Sequence, residues 1–187
     1  MTDHPAGAPP EDPAEVARQI VLRRLTDQPR SRAELATVLA SKGVPDEVAG
    51  RVLDRFEEVG LVDDAAFAAA WVSSRHRGRG LGRRALAHEL RRKGIDGELA
   101  QMALASVDDD DERAVAADLV QRKLPAMRRL DPPSAQRRLV GMLARKGYSP
   151  GMAFSVVREA LADRADGGGA HAPSGLGLAA DTSLDLL

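Results

Sequence analysis

One residue pattern occurs three times along the chain, and this repeat limits the fold more than any other feature of the sequence. Each copy has two leucines four residues apart, a Lys-Gly pair, and apolar residues after the glycine. The copies are offset by 51 and then 53 residues. Self-similarity at a fixed interval is typical of arrays in which each unit contacts mainly its neighbours, so we predict three tandem units. The aligned positions are Leu35, Leu39, Lys42, Gly43, Val44, Val48 and Leu53, then Leu86, Leu90, Lys93, Gly94, Ile95, Leu99 and Leu104, then Leu139, Leu143, Lys146, Gly147, Tyr148, Met152 and Val157.

The composition of the chain favours helices over strands. The sequence has three phenylalanines, one tryptophan and one tyrosine among 187 residues, and it is rich in Ala, Leu, Arg and Glu. These residues are good helix formers, whereas strands prefer aromatic and β-branched residues. We therefore predict an all-α fold in which three tandem three-helix repeats form an elongated, curved array. The predicted units are 13–62, 63–107 and 108–163, between a disordered lead at 1–12 and a disordered tail at 164–187.

Polar residues at the predicted helix starts and glycines at the ends mark the helix boundaries. Ser31 and Glu34 form a capping-box pattern, and Gly43 ends the next helix because glycine readily takes the left-handed conformation. The acidic pair 63–64 and the acidic run 108–112 also fall at helix starts. Negative charge there caps free N–H groups and suits the helix dipole, so we interpret these carboxylates as caps and not as a metal or acid–base site.

The middle of the chain carries an excess of positive charge that the net charge of −1 conceals. Three glycines alternate with five arginines in the segment 75–84, and we predict a flexible, like-charged hinge that an anion fills. The favourable placement of cations at a helix C-terminus could explain residues 91–93, but it does not explain the arginines of the predicted hinge. The target is either a nucleic-acid backbone or an acidic protein surface, since arginine binds phosphate and carboxylate alike. The candidate ligands are Arg75, Arg77, Arg79, Arg83, Arg84, Arg91, Arg92 and Lys93.

The aromatic and histidine side chains are predicted to be structural. Phe67 and Trp71 are four residues apart on one helix face, where they could stack on bases or pack in the core, and their alanine-rich surroundings favour the core. Tyr148 follows a turn glycine, where its ring could be half exposed or packed, and we favour packing. The four histidines are spread over separate segments without a ligand pair, and His88 is expected to face solvent.

No sequence motif indicates an enzyme, a cofactor or a membrane segment. The chain has no phosphate-binding P-loop, zinc-binding HExxH or nucleophile-elbow GxSxG motif, so we predict a protein without catalytic residues, metal or cofactor. It has no cysteine, no secretory signal pattern and no apolar run approaching the ~20 residues of a membrane helix. These features predict a cytoplasmic protein, and without a heptad seam we expect a monomer.

The central motif resembles that of a known family. GLVDD at 60–64 is followed by Phe67, Trp71 and Arg75, then by RGRG at 77–80 and ELRRKGI at 89–95. Together with RSRAEL at 30–35 and the third unit's RRL at 137–139, this pattern is similar to the RecX regulatory proteins. The similarity covers about residues 14–162. The acidic run 108–112 is longer than the family pattern requires.

The resemblance implies a three-repeat, all-helical inhibitor of the RecA recombinase. It implies binding to the RecA–single-stranded-DNA filament, suppression of its ATPase, strand-exchange and coprotease activities, and contact with single- or double-stranded DNA through the backbone. The alternatives are a helix-turn-helix transcriptional regulator, whose recognition helices at 46–59 and 97–106 are acidic or neutral, and an inert helical scaffold. Further arginines expected to face the partner are Arg30, Arg32, Arg137, Arg138 and Arg145.

Overall fold

The structure is a computed structural model that describes residues 12–168, with side chains through residue 164. Within this range the chain forms nine α-helices, one short 3-10 helix and no strand, which confirms the all-α prediction. The first unit consists of α1–α3, the second of α4–α6 and the third of α7–α9. The helices are α1 (Pro13–Asp27), α2 (Arg32–Ser41), α3 (Asp46–Glu58), α4 (Asp64–Arg79), α5 (Arg83–Arg92), α6 (Gly97–Ala105), α7 (Asp109–Lys123), α8 (Pro132–Arg145) and α9 (Pro150–Gly168), with the 3-10 helix at Leu124–Met127.

The predicted lead and tail fall almost entirely outside the described residues. Asp12 caps α1 by accepting a hydrogen bond from the N–H of Ala14. At the other end, α9 continues past residue 163 to Gly168, so the third unit extends beyond its predicted boundary. The side chain of Arg164 ties this last part of α9 to the unit, because its guanidinium donates to the carbonyl of Arg128 at 3.1 Å.

Local capping chemistry sets most of the helix ends. Ser31 and Glu34 make the predicted capping box at the start of α2. Asp63 and Asp108 accept hydrogen bonds from N–H groups in the first turns of α4 and α7, as expected of caps. The three aligned Lys-Gly pairs end α2, α5 and α8, and their glycines have φ angles of 76°, 74° and 88°. Because L side chains strongly disfavour that region, glycine at these positions follows from the turn itself.

Each unit has a separate apolar core. The repeated leucine pairs of α2, α5 and α8 are all fully buried, each in the core of its own unit. Burying a leucine contributes roughly 1.5–3 kcal/mol, so the repeat provides the same central stabilisation three times. Every helix pair with extensive packing belongs to one unit, and the units are therefore joined by smaller contacts.

The first joint connects the N-terminus of α2 to the Lys-Gly turn of the second unit. The hydroxyl of Ser31 donates to the carbonyl of Lys93 at 2.6 Å, and the Lys93 ammonium donates to Glu34 at 2.6 Å. Next to them, the N–H of Arg32 donates to the carboxylate of Asp64 at 2.8 Å. Ser31 and Glu34, which cap α2 within the first unit, thus also bind the second unit.

The second joint repeats this arrangement between the N-terminus of α5 and the Lys-Gly turn of the third unit. The N–H of Gly82 donates to the carbonyl of Lys146 at 2.8 Å, and the N–H of Arg84 donates to the carbonyl of Gly147 at 3.3 Å. A Cβ atom on Gly147 would lie closer than 3.0 Å to backbone and side-chain atoms of Ala85. The turn therefore fits against α5 only without a side chain.

Two further contacts seal the second joint. The Tyr148 hydroxyl donates to the carbonyl of Gly80 at 3.1 Å, and the tyrosine is only 2% exposed, so the interpretation that it packs is confirmed. Glu112, 4% exposed, accepts from the N–H of Arg83 at 2.8 Å and from its guanidinium at 2.9 Å. A buried carboxylate is tolerated here because both of its oxygens are paired with donors.

The two ends of the array lack parts of this joint. Among the described residues, no atom lies within 4 Å of where a Cβ would sit on Gly43, so the Lys-Gly turn of the first unit meets no partner there. At the other end, α8 begins about one turn earlier than α2 and α5 do relative to the repeated leucines. Ala135, which aligns with Ser31 and Gly82, therefore lies inside α8 and donates its N–H to the carbonyl of Asp131. Within residues 12–168, no hydrogen bond or ion pair connects the first unit to the third.

Candidate anion-binding groove

The segment predicted as a flexible hinge is mostly helix. α4 continues through Arg79, and three residues, 80–82, separate it from α5. Gly80 ends α4 with a φ of 61°, and both Gly80 and Gly82 are buried under the third unit. The prediction of a hinge was wrong because the segment continues α4, and two of its five arginines lie beside carboxylates: Arg75 beside Glu89 and Arg83 beside Glu112, which reduces the repulsion within the segment.

Two of the predicted ligands enclose the tryptophan instead of facing a partner. The Arg75 guanidinium lies 4.1 Å from the centre of the Trp71 ring, and the Lys93 ammonium lies 4.5 Å from it. Glu89 accepts from the indole N–H at 2.9 Å and lies 3.5 Å from Arg75. Phe67 is buried and stacks on the indole with ring centres 5.7 Å apart. The core interpretation of both aromatic residues is confirmed. The cation–π contacts hold Arg75 and Lys93 against the indole, and Lys93 also pairs with Glu34 of the first unit.

Two further predicted ligands form ion pairs within the protein. Arg32 bridges Asp54 and Glu57 of α3, with each oxygen at 2.6 Å. Arg83 pairs with Glu112 and with Asp109 across the second joint. Burial alone would lower the pKa of Arg83, but hydrogen bonding and charge from these carboxylates raise its pKa overall. We therefore assign Arg32 and Arg83 to structure.

A groove opens where the second and third units meet. Arg84, His88 and Arg92 lie on one face of α5, because residues four apart are neighbours on a helix surface. Together with Arg145 of α8 they line a groove of about 510 Å³. His88 is exposed as expected, and its place between two cations was not foreseen.

The groove continues along α8 towards the end of the array. Arg137, Arg138 and Arg145 line a depression of about 560 Å³ together with Lys123 of α7. Arg145 belongs to both depressions, so they form one surface. Its floor is provided by Gly141 and two methionines, Met127 and Met142. We define the basic groove as Arg84, His88, Arg92, Lys123, Arg137, Arg138 and Arg145.

Most cations of the basic groove have no carboxylate partner among residues 12–164. Arg92 lies 3.8 Å from Glu89, the one carboxylate that lines the groove, and Glu89 is already shared with Trp71 and Arg75. Arg137 donates to the hydroxyl of Ser134 at 3.1 Å. The remaining cations form no ion pair within this range. Side chains of one charge along a concave surface concentrate the field there, so the groove is suited to an extended anion.

The remaining predicted ligands lie outside the basic groove. Arg77, Arg79 and Arg91 are exposed, and Arg30 lies 3.8 Å from Glu34. Lys123 was missed because it stands apart in sequence from the arginines of α8 that it joins in the groove. His88 was missed because its position four residues from both Arg84 and Arg92 was not considered. The four-residue spacing of Arg84, His88 and Arg92 was the sequence feature that could have identified this helix face.

The described residues contain neither a metal-binding cluster nor a membrane-spanning helix. No group of three or more His, Asp or Glu side chains that could hold a metal occurs among them, and no helix there is long and apolar enough to cross a membrane. His76 is buried, its Nδ1 donates to the carbonyl of Leu81 at 2.8 Å, and its Nε2 has no partner. The fold and the groove define a three-unit helical array with a cation-lined surface across its second joint.

Family models match each unit in turn. Models described as the first, second and third three-helix domains of RecX match residues 17–56, 63–104 and 110–157. The chain belongs to the RecX family of regulatory proteins, as its central motif suggested.

Relatives and solved structures agree with this assignment. The regulatory protein RecX of Streptomyces coelicolor is 56% identical over 160 residues, covering 86% of this chain and 85% of the relative. RecX of Thermobifida fusca is 53% identical over 161 residues, covering 85% and 87% of the two chains. The crystal structure of RecX from Lactobacillus salivarius superposes with a TM-score of 0.74 at 20% identity, covering 79% of this chain and 96% of that one. The last comparison supports the shared fold.

Proposed function

We propose that this protein is a negative regulator of the RecA recombinase. In this proposal it binds the RecA–single-stranded-DNA filament and suppresses its ATPase, strand-exchange and coprotease activities without chemistry of its own. Membership of the RecX family supports the regulatory role. The single observation that carries the binding mode is the basic groove, which runs from α5 across the second joint and along α8 with most of its cations unpaired.

The spacing of the cations supports electrostatic binding of an extended anionic ligand. Arg137 and Arg145 are eight residues apart on α8, which is ~12 Å along the helix axis. With the α5 cations added, the groove spans two units and can contact successive phosphates or a row of carboxylates. A rigid array held on the filament in this way would brace neighbouring subunits and oppose the motions that accompany ATP hydrolysis.

A transcriptional regulator of the helix-turn-helix type is not favoured by any contact in the structure. Two carboxylates of α3, Asp54 and Glu57, hold Arg32, and the helix carries several other acids. A recognition helix requires donors and acceptors free to meet base edges in a negatively charged groove. The cations instead lie on α5, α7 and α8, which suits contact with a backbone.

The test is ATP hydrolysis by a RecA–single-strand filament with the native protein and two charge-matched variants. The groove variant replaces Arg84, Arg138 and Arg145 by alanine. Exposed charged contacts contribute about 0.5–1 kcal/mol each, so we expect its half-inhibiting concentration to rise roughly ten- to a hundred-fold. The matched control replaces Arg77, Arg79 and Arg91, which are also predicted ligands but lie outside the groove. We expect this control to inhibit like the native protein.

Three results would count against the proposal. Native protein that leaves hydrolysis unchanged at one molecule per RecA would exclude the function. Equal loss of inhibition in both variants would show that the position of the charge does not matter. Full inhibition by the groove variant, with a native helical spectrum, would remove the groove from the binding site.

A further inference from the structure

Phe154 on α9 is the one aromatic ring with an open face among residues 12–164. Its residue is 53% exposed. Phe56, Phe67 and Tyr148 are buried, and Trp71 is enclosed by a stacked ring and two cations. Because about half of this residue is in water, it contributes little to the core of the third unit, and its open face is available to a ligand.

Phe154 lines a depression that adjoins the basic groove. This depression has a volume of about 460 Å³, and its lining is apolar apart from Gln136 and Arg137. Arg137 and Gly141 also line the α8 part of the basic groove, so the two surfaces are continuous. Arg158 follows Phe154 by four residues on α9 and therefore lies on the same side of that helix.

We propose that Phe154 is a stacking site for a nucleobase of a single-stranded nucleic acid whose phosphates lie in the basic groove. This inference rests on the proposed use of the groove as an anion site and names the ligand for it. A flat ring at the end of a row of cations is the arrangement by which proteins bind single strands without reading sequence. The amide of Gln136 can donate to and accept from base edges, whereas the adjacent guanidinium of Arg137 meets the backbone.

Charge complementarity favours a nucleic acid over an apolar protein segment. Arg137 lines the depression and Arg138 lines the continuous groove. Arg158 is one helical turn from Phe154 on α9 and is exposed. Asp131, at the N-terminus of α8, is engaged by Ser134. An acidic peptide with an apolar side chain over Phe154 is the competing occupant, and the experiment below separates the two.

The experiment measures binding of the full chain to two labelled probes of equal length by fluorescence anisotropy at several salt concentrations. One probe is oligothymidylate, and the other has the same phosphates on abasic sugars. Stacking on an aromatic side chain is sequence-tolerant and strengthens binding by about five- to 150-fold per base. We expect the native protein to prefer the probe with bases within that range.

Two variants of Phe154 isolate the ring. Phe154→Leu keeps an apolar side chain of similar size and should bind both probes equally, with the salt dependence of the native protein. Phe154→Trp should keep or increase the preference for bases. The groove variant lacking Arg84, Arg138 and Arg145 should lose affinity for both probes by the same factor, and its binding should depend less steeply on salt.

The proposal is overturned if native protein does not distinguish the probes or if Phe154→Leu keeps the preference for bases. It is also overturned if a leucine-containing oligoglutamate displaces oligothymidylate and binds Phe154→Leu more weakly than native protein, since the site would then fit a peptide. The proposed function is tested by a different measurement and can fail independently of this inference. ATP hydrolysis by RecA could be inhibited by a protein that shows no base preference, and a protein with that preference could leave hydrolysis unchanged.

Discussion

The substitution Gly147→Ala tests whether the joints between units depend on the absence of a side chain. Gly147 has a φ of 88°, and a Cβ there would lie closer than 3.0 Å to the N, Cα and Cβ atoms of Ala85. Gly43 provides a matched control. It occupies the same position in the first unit with a φ of 76°, and no atom lies within 4 Å of its Cβ position.

The structure gives a different cost for each substitution. A left-handed alanine costs about 1–2 kcal/mol at either position. At Gly147 the new methyl group also meets backbone that cannot rotate away, so the third unit must move off α5. Three hydrogen bonds that seal the joint are then weakened, donated by Gly82, Arg84 and Tyr148. At roughly 0.5–1.5 kcal/mol each, their loss adds about 2–4 kcal/mol.

The assay is urea unfolding followed by far-ultraviolet circular dichroism, with small-angle X-ray scattering of the folded variants. We expect Gly43→Ala to lose about 1–2 kcal/mol and keep the native radius of gyration. Gly147→Ala should lose about 3–6 kcal/mol, and its radius of gyration should change because the joint opens. Equal losses in the two variants, with identical scattering, would refute the idea that the turn must contact α5.

Three further predictions concern buried or paired groups. Glu112→Ala should lower the free energy of unfolding by about 1–3 kcal/mol, because it leaves the buried N–H of Arg83 without an acceptor, and native stability in the urea assay would contradict this. Tyr148 is the only tyrosine. Burial, and to a smaller extent the negative charge of Glu112, raises the pKa of the Tyr148 hydroxyl. The folded state therefore favours the neutral phenol. The stability that this preference contributes is complete below the unfolded pKa of about 10 and is lost as pH rises above it. In an alkaline titration, phenolate absorbance should rise together with loss of helical circular dichroism. The hydrogen bond from Arg113 is the main cause that lowers the pKa of Glu159. Its contribution is complete above the unfolded pKa of about 4.3 and disappears as pH falls through the lower native pKa, so the stability difference between native protein and Arg113→Gln should shrink in acid.

Features that depend on neighbouring residues could be predicted from the sequence. The capping box at Ser31 and the left-handed glycines 43, 94 and 147 follow from interactions within a few residues. The burial of the repeated leucines follows from helical spacing and the hydrophobic effect. These local rules are sufficient for three units of three helices, and they are the reason that the fold class was confirmed.

Features that depend on distant residues could not be predicted. Arg83 meets Glu112, 29 positions along the chain, and Lys93 meets Glu34, 59 positions away. Sequence alone counted both cations as free for a partner. The sequence places an excess of positive charge in the middle of the chain, whereas four of the six Arg and Lys side chains of the basic groove lie in the third unit. Which arginines remain unpaired is decided by packing between units. The assignment of the binding residues to the basic groove stays a prediction.

The extra turn at the start of α8 has a consequence for the size of the molecule. At both joints, a donor at the start of a helix binds the next Lys-Gly turn, namely the hydroxyl of Ser31 and the N–H of Gly82. The aligned residue of α8 is Ala135, whose N–H already donates to the carbonyl of Asp131 within the helix. A fourth like unit, or a second copy placed in line, would find an incomplete socket. If the array binds a filament as proposed, its three described units would therefore cover a stretch of fixed length.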